Sequence, residues 1–212
     1  MNEQAVEKTS SKRNLTPFWI LLAVSGLPYL FSWIYFANID SLPQVATSNR
    51  GELIEPVRSV ENYSLELMDG NILQTSELKG NWTLITAGST KCDEACIKNV
   101  YYMRQVRRLM GEERERIKRL FVLTDAEQMQ DFAAKIEPYG AMDVVIGPES
   151  DKARLLEKMT INGSSPENRI YIMDPLANLM MVYRPDSNPE DIAKDFRRLL
   201  NVVRIGQPKK AG

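Results

Sequence analysis

The segment WTLITAGSTKCDEACIKN, residues 82–99, carries a predicted strand directly into a predicted helix. Its first letters, WTLITA, form a short apolar run that is typical of a buried strand. A helix is predicted from about Asp93 to Met110, because apolar residues then recur at helical spacing. The two cysteines of the chain, Cys92 and Cys96, lie where these elements meet. The fold and the chemistry are therefore both examined outward from this pair.

Alternating strand and helix patterns on either side of the segment predict an α/β fold. Asp125 and Gln128 form a capping-box-like pair that predicts the start of a second helix, and Asn188 before Pro189 predicts the start of the last one. Strands are predicted at 63–68, 82–87, 119–124, 143–147, 169–174 and 179–184, and helices at 93–110, from 125, at 150–159 and from 189. A cysteine pair where the second strand meets the first long helix resembles the thioredoxin-like arrangement, which we predict here.

An uncharged run of twenty residues, Pro17 to Phe36, precedes this domain. Its length suits a helix that crosses the ~30 Å hydrocarbon core of a membrane. Lys8, Lys12 and Arg13 precede the run, and no lysine or arginine follows it until Arg50. The positive-inside rule therefore predicts a single-pass anchor in the inner (plasma) membrane with a cytoplasmic N-terminus. A cleaved signal peptide is disfavoured, because the run is long and no small-x-small cleavage site is evident.

The predicted C-terminal domain is then extracytoplasmic, and periplasmic if the chain is bacterial, where disulfides can persist. A polar stretch with two prolines follows the apolar run and predicts a tether to this domain. The predicted parts are a cytoplasmic tail at 1–16, a transmembrane anchor at 17–36, a tether at 37–58, a thioredoxin-like domain at 59–206 and a C-terminal tail at 207–212.

The composition excludes several classes of function. The formal net charge of −1 indicates no general attraction to nucleic acid. The chain has no histidine, which excludes Ser-His and Cys-His nucleophilic catalysis and most zinc and copper(II) sites. Chemistry in this chain is therefore expected to depend on the thiols and on nearby carboxylates or lysines.

The spacing of Cys92 and Cys96 places both on one face of a helix. Their Cα atoms would lie about 6 Å apart, within disulfide range, if Cys92 occupies the turn before the helix. The helix N-terminus and Lys91 favour a thiolate there, while Asp93 and Glu94 oppose it, so the net direction stays open. A fixed disulfide or two buried thiols are the alternative. We favour a redox or metal-binding role, because a cross-link over so short a loop contributes little stability.

The chain resembles the Sco/SenC family, membrane-anchored thioredoxin-like proteins that assist copper delivery to cytochrome c oxidase. The resemblance covers roughly residues 60–203. FVLTDAE resembles a family segment that places Asp125 on the family's aspartate, and IYIMDPLANLMMVY resembles the family's hairpin. Around the cysteines the matching residues are Leu78, Lys79, Gly80, Trp82, Gly88, Thr90, Cys92 and Cys96.

The departures from this family concern the metal. In the family, copper is held by the two cysteines and a histidine just before the hairpin. Counting back without gaps from Asp174 places Pro166 at the position of that histidine. The family's proline after each cysteine is also replaced, by Asp93 and by Ile97. Two thiolates can still hold Cu(I), which prefers soft ligands, whereas Cu(II) binding of the family type is expected to be poor.

The resemblance implies a role in the assembly of cytochrome c oxidase. Our first hypothesis is a thiol-disulfide reductase that acts on the copper-site cysteines of an oxidase subunit or of another copper-assembly protein. Cys92 would attack the partner disulfide and Cys96 would resolve the mixed disulfide. We expect the sulfur of Cys92 to face solvent, because Cys92 precedes the helix, and that of Cys96 to point toward the core. Thr90, Lys91, Asp125 and Pro166 are the predicted supporting residues.

Three other functions stay open. The chain could be a Cu(I) carrier that uses only two thiolates, with Cu(I) as its one candidate cofactor, or a non-catalytic assembly subunit that keeps the fold for binding. A peroxiredoxin-like peroxidase is disfavoured, because its motif requires a proline at the position of Ile85, with Ser89 as the hydroxyl.

Overall fold

The computed structural model of the chain describes residues 15–38 and 49–204, and its residues divide into two compact units, Met1–Thr47 and Ser48–Gly212. In the first unit, helix α1 spans Thr16–Ala37 and has a mean hydropathy of 1.7 over its most apolar window. It is long and apolar enough to cross a membrane, in agreement with the predicted anchor. The predicted tails, and the tether up to residue 48, lie almost entirely outside the described residues.

The second unit is built on a single eight-stranded sheet with the strand order β1-β8-β7-β4-β5-β6-β2-β3. Its central strand β4 pairs in parallel with β5 and antiparallel with β7. Parallel β4 and β5 are joined through helix α2, as a crossover connection requires. The strands are β1 Glu52–Ser59, β2 Ser64–Leu67, β3 Ile72–Gln74, β4 Trp82–Gly88, β5 Ile117–Leu123, β6 Asp143–Gly147, β7 Ile170–Met173 and β8 Asn178–Tyr183.

Helices cover both faces of this sheet. They are α2 Glu94–Leu109, α3 Met129–Ile136, α4 Glu149–Met159 and α5 Pro189–Arg204. Met103 of α2 and Phe196 of α5 pack in one buried cluster with Leu84 of β4. Leu155 of α4 packs in another cluster with the next strand residue, Ile85. Successive side chains of a strand point to opposite faces, so α2 and α5 lie on one face of the sheet and α4 lies on the other.

Two parts of the sequence-based organisation differ from the structure. Residues 52–58, predicted as part of the tether, belong to β1, which pairs antiparallel with β8 at the edge of the sheet. Ile54 is its one buried residue, so this edge strand lacks the apolar alternation that identifies a half-buried strand. The predicted capping box is also wrong. Helix α3 begins at Met129 with Gln128 as its N-cap residue, and no side chain caps its N-terminus.

Candidate redox site at the start of helix α2

The cysteine pair forms a disulfide in the oxidised protein. Cys92 and Cys96 are joined with a Cα–Cα distance of 5.1 Å, within the range that the spacing predicts. Cys92 lies in the turn before α2, where its N–H donates to the carbonyl of Ser89 at 3.1 Å. Its φ of 34° is in the left-handed region, which is uncommon for a residue with a side chain. Cys96 lies within the first turn of α2.

Asp93 caps the helix that carries Cys96. It is the N-cap residue of α2, and its Oδ1 accepts a hydrogen bond from the N–H of Cys96 at 2.9 Å. Aspartate is among the preferred residues at this position because its side chain binds an otherwise unpaired N–H group. The residue that replaces the family's proline therefore stabilises the helix start and places a negative charge beside the pair.

Both cysteines are buried, with 4% of each residue exposed. The expectation that the sulfur of Cys92 faces solvent is therefore wrong for the oxidised protein, because the disulfide holds Cys92 against the core with Cys96. The apolar cluster around the pair consists of Val100, Phe121, Leu123, Phe132, Ile136 and Val144. A disulfide in such surroundings is shielded from a thiol in solution.

Gly88, the last residue of β4, leaves the space that the disulfide occupies. A Cβ atom at this position would lie 3.5 Å from Cys96 Sγ and 3.1 Å from Phe121 Cζ. The second distance is tighter than ordinary van der Waals contact, so a larger residue would displace the Phe121 ring or the sulfur. A glycine at the end of the central strand is thus explained by the packing of the cysteine pair.

Thr90 and Asp125 are brought together across the ends of β4 and β5. Asp125 Oδ1 accepts hydrogen bonds from the N–H of Thr90 at 2.9 Å and from the Thr90 hydroxyl. The Thr90 Oγ1 in turn accepts from the N–H of Gln128 at 3.2 Å. The bond from the Thr90 hydroxyl, more than any other contact, holds the pKa of Asp125 below its ordinary value. Asp125 therefore binds the turn that carries Cys92 instead of capping α3.

Lys91 contributes its backbone to the site. Its side chain is exposed, and its carbonyl accepts a hydrogen bond of 2.5 Å from Nζ of Lys135 on α3. Together with the bonds of Thr90, this contact connects both residues before Cys92 to the segment that follows β5.

Pro166 lies in the loop that reaches the same end of the sheet. It is half-buried and directly precedes Glu167, which pairs with Ala87 near the end of β4. Glu167 Oε1 accepts a hydrogen bond from the Thr124 hydroxyl at 2.7 Å. This half-buried carboxylate was not among the residues predicted from the sequence, although it directly follows Pro166, the residue at the position of the absent histidine.

The donor set does not fit a copper centre with three protein ligands. The chain has no histidine. Among residues 15–38 and 49–204, no group of three or more cysteine, aspartate or glutamate residues is arranged to hold a metal ion. After reduction, Cys92 and Cys96 offer two soft thiolate ligands to Cu(I).

Comparison with known families agrees with this fold. Residues 82–203 match the family described as transmembrane-like, thioredoxin-like, C-terminal domain. A search of curated proteins found no match. The family match spans the chain from the central strand β4 through most of α5.

Solved structures of Sco proteins and of thiol-disulfide proteins share the fold. Copper-bound ScoI from Bradyrhizobium japonicum is 22% identical, with a TM-score of 0.51 over 65% of this chain and 96% of that chain. A SCO1/SenC family lipoprotein from Bacillus anthracis is 18% identical, with a TM-score of 0.54 over 69% and 99%. A thiol:disulfide interchange protein from Bacteroides sp. is 19% identical, with a TM-score of 0.52 over 72% and 92%. The predicted thioredoxin-like fold and the Sco/SenC-like architecture are thereby confirmed.

Proposed function

Because the chain belongs to the transmembrane-like, thioredoxin-like C-terminal domain family, we propose that it is a membrane-anchored thiol-disulfide reductase. The observation that carries this proposal is the Cys92–Cys96 disulfide at the start of the helix after the central strand. A dithiol that can close into a disulfide at this place can pass two electrons to a partner disulfide. The proposed partner is an exported protein with copper-site cysteines, either a cytochrome c oxidase subunit or another copper-assembly protein.

The proposed reaction uses both sulfurs of the reduced chain. The Cys92 thiolate attacks one sulfur of the partner disulfide, which forms a mixed disulfide and releases the partner's other sulfur as a thiolate. The Cys96 thiolate then attacks Cys92 Sγ, closes the internal disulfide and releases the second partner thiolate. The partner is reduced by two electrons and the chain is oxidised by two. A membrane or extracytoplasmic dithiol reductant must then restore the reduced pair.

Cys92 is assigned as the attacking cysteine because of where its backbone lies. It occupies a turn, whereas Cys96 is held inside α2 and its N–H is bound by Asp93. A turn held by side-chain contacts can move more readily than a capped helix. Cys92 is therefore the sulfur that can be presented to a partner.

A Cys96→Ser variant is expected to accumulate a mixed disulfide with its partner, because the resolving thiol is missing. The matched Cys92→Ser variant should trap little, since its remaining thiol lies within the helix. Non-reducing electrophoresis of acid-quenched cells, followed by mass spectrometry, measures both. Neither variant forming an adduct, together with normal oxidase assembly in the double Cys→Ser variant, would contradict the proposal and favour a non-catalytic assembly subunit.

Cu(I) transport is a second candidate, supported by the closeness of the two thiols. Two-coordinate thiolate binding suits Cu(I). In this role copper would be cargo, and the same two residues would be its ligands.

We also propose that α1 anchors the chain in the inner (plasma) membrane with the N-terminus in the cytoplasm. Lys8, Lys12 and Arg13 precede the apolar run and support this orientation. A phosphatase reporter fused after Gly212 is expected to be active, because this enzyme requires export for its disulfides. A cytoplasm-active reporter at the same position should be inactive. The opposite pattern would exclude the proposed compartment.

A further inference from the structure

We propose that Thr90, Asp125 and Lys135 hold the turn before Cys92 closed, and that this turn must open before the disulfide can be reduced. The hydrogen bonds of Thr90 with Asp125 and of Lys135 with the Lys91 carbonyl are here called the turn latch. The proposal assigns these residues a positioning role at the redox site. It builds on the proposed function for its biological meaning, but the reduction rate can be tested independently of it.

Access to the sulfur atoms is the first step of the argument. Thiol-disulfide exchange requires a thiolate to reach a disulfide sulfur. Cys92 and Cys96 are each only 4% exposed, and the aromatic rings of Phe121 and Phe132 belong to the same buried cluster. Part of the structure must therefore move before a reductant can attack.

The turn is the part that can move. Cys96 is fixed by α2 and by the bond of its N–H to Asp93. Cys92 lies outside the helix, and its N–H donates to the Ser89 carbonyl within the turn itself. Opening of the turn would therefore expose Cys92 Sγ while Cys96 stays in place.

The turn latch is what resists this movement. Thr90 is completely buried, and both its N–H and its hydroxyl donate to Asp125 Oδ1. Hydrogen bonds to a charged acceptor are stronger than neutral ones. The Lys135 ammonium adds a bond to the next carbonyl along the turn. Asp125 lies in the segment after β5 and Lys135 lies on α3, so the turn latch joins the turn to a different part of the fold.

The backbone of Cys92 favours opening once the latch is released. Its φ of 34° lies in the left-handed region, which residues with a Cβ atom occupy at a conformational cost. The turn therefore holds Cys92 in a conformation that it would leave when the latch is released. This relaxation would carry its sulfur away from the core.

The chemical step after opening is ordinary exchange. A thiolate of a dithiol such as dithiothreitol attacks Cys92 Sγ, forms a mixed disulfide and releases Cys96 as a thiolate. The second thiol of the reagent, deprotonated, then closes the reagent's own ring and releases the Cys92 thiolate. The reagent is oxidised by two electrons and the protein disulfide is reduced by two.

The test measures the second-order rate of reduction of the full chain in detergent by dithiothreitol. Samples are quenched with acid and labelled with a maleimide polymer that separates reduced from oxidised chains on a gel. Asp125→Ala and Thr90→Val are each expected to be reduced roughly tenfold faster, because the first removes both bonds from Thr90 to the carboxylate and the second removes the bond from the Thr90 hydroxyl. Lys135→Gln is expected to give a smaller increase, since its single bond lies at an exposed position.

Matched controls separate the latch from general effects of charge or packing. Glu157→Gln removes an exposed carboxylate of α4, on the other face of the sheet from α2, so its rate should equal that of the native chain. Thr90→Ser keeps the hydroxyl and the N–H and should also keep the native rate. Native rates in both Thr90→Val and Asp125→Ala would overturn the proposal, as would equal acceleration in Glu157→Gln. If Asp125→Ala does not fold, the Val and Ser variants of Thr90 give the decisive comparison.

The two proposals can fail separately. Fast reduction of the latch variants with no partner adduct in Cys96→Ser would support the latch and contradict the reductase. A clear adduct with native reduction rates in the latch variants would support the reductase and contradict the latch.

Discussion

Replacing Asp195 with alanine is expected to lower the free energy of unfolding by about 3–5 kcal/mol, because three neutral donors lose a charged acceptor and each buried unsatisfied donor costs about 1–3 kcal/mol. Asp195 is 2% exposed, and its Oδ2 accepts hydrogen bonds from the N–H groups of Arg50 and Gly51 and from the Tyr183 hydroxyl. These bonds measure 2.8 Å, 3.0 Å and 3.0 Å. Alanine would leave all three donors without this acceptor. A melting temperature lower by roughly 6–20 °C should follow for a domain of this size.

Two substitutions make this expectation specific. Asp195→Asn keeps an acceptor oxygen but removes the charge, so an intermediate loss is expected. Asp191→Asn removes a carboxylate of the same helix that pairs with Arg50 at 2.9 Å near the surface. Exposed pairs of this kind contribute only about 0–1 kcal/mol. Denaturant unfolding of the full chain in detergent compares the three variants, and equal losses in Asp195→Ala and Asp191→Asn would refute the buried role.

The burial of Asp195 is not predictable from the apolar periodicity of the last helix. The last helix is predictable from its apolar face, which includes Ile192 and Phe196. Asp195 also lies on a buried part of that helix, although a charged residue is normally assigned to the solvent side. The Asp195 carboxylate meets its backbone donors only in the folded chain, since Arg50 is 145 positions away in the sequence. Burial, with a further contribution from the Asp195 carboxylate, raises the pKa of Tyr183, so this hydroxyl stays a donor.

The sheet was predictable where its strands are buried, and less so at its edges. β4 is buried throughout and β5 at every residue except Lys118, and apolar runs identify both strands without knowledge of their partners. β1 and β3 lie at the two edges of the sheet and have few buried residues. β3 is only three residues long and pairs with the neighbouring strand β2. The strand conformation of β1 depends on pairing with β8, which is distant in the sequence, as in the pair of Ser59 with Asn178. Local patterns cannot reveal such pairing.

The candidate site was predictable in its residue types but not in its contacts. The spacing of Cys92 and Cys96 gives a separation that permits a disulfide. Asp125 was interpreted as a local cap, because Gln128 follows at the correct distance for a capping box. In the structure the better donors for Asp125 are the N–H and hydroxyl of Thr90, on the neighbouring strand's loop. The parallel pairing of β4 with β5 brings these two loops together, and nothing local to either segment encodes it.

Copper binding by the reduced full chain is expected to depend entirely on the cysteine pair. Cys92→Ser and Cys96→Ser should each lower Cu(I) affinity by more than about 100-fold, because loss of an outer-shell contact alone lowers it roughly 10–100-fold. The reason is that a serine hydroxyl is a hard ligand and Cu(I) prefers soft sulfur. Competition with a coloured Cu(I) chelator under anaerobic conditions measures the affinity. Undiminished binding in both variants would show that other donors hold the ion.

The same chain is expected to bind Cu(II) weakly, because it offers no imidazole. Pro166→His places an imidazole in the loop that pairs with the end of β4 at Glu167, and Cu(II) affinity should rise. Asn162→His adds the same ring at an exposed position of that loop and serves as the control. Electron spin resonance of the native chain tests this prediction. A tight Cu(II) site with nitrogen ligands would contradict it, because other donors would then replace the missing histidine.

The copper and trapping experiments together decide between the two proposed functions. Tight Cu(I) binding by the native chain, with no partner adduct in Cys96→Ser, would indicate that the cysteine pair carries Cu(I). The disulfide would then be the resting form of the empty site.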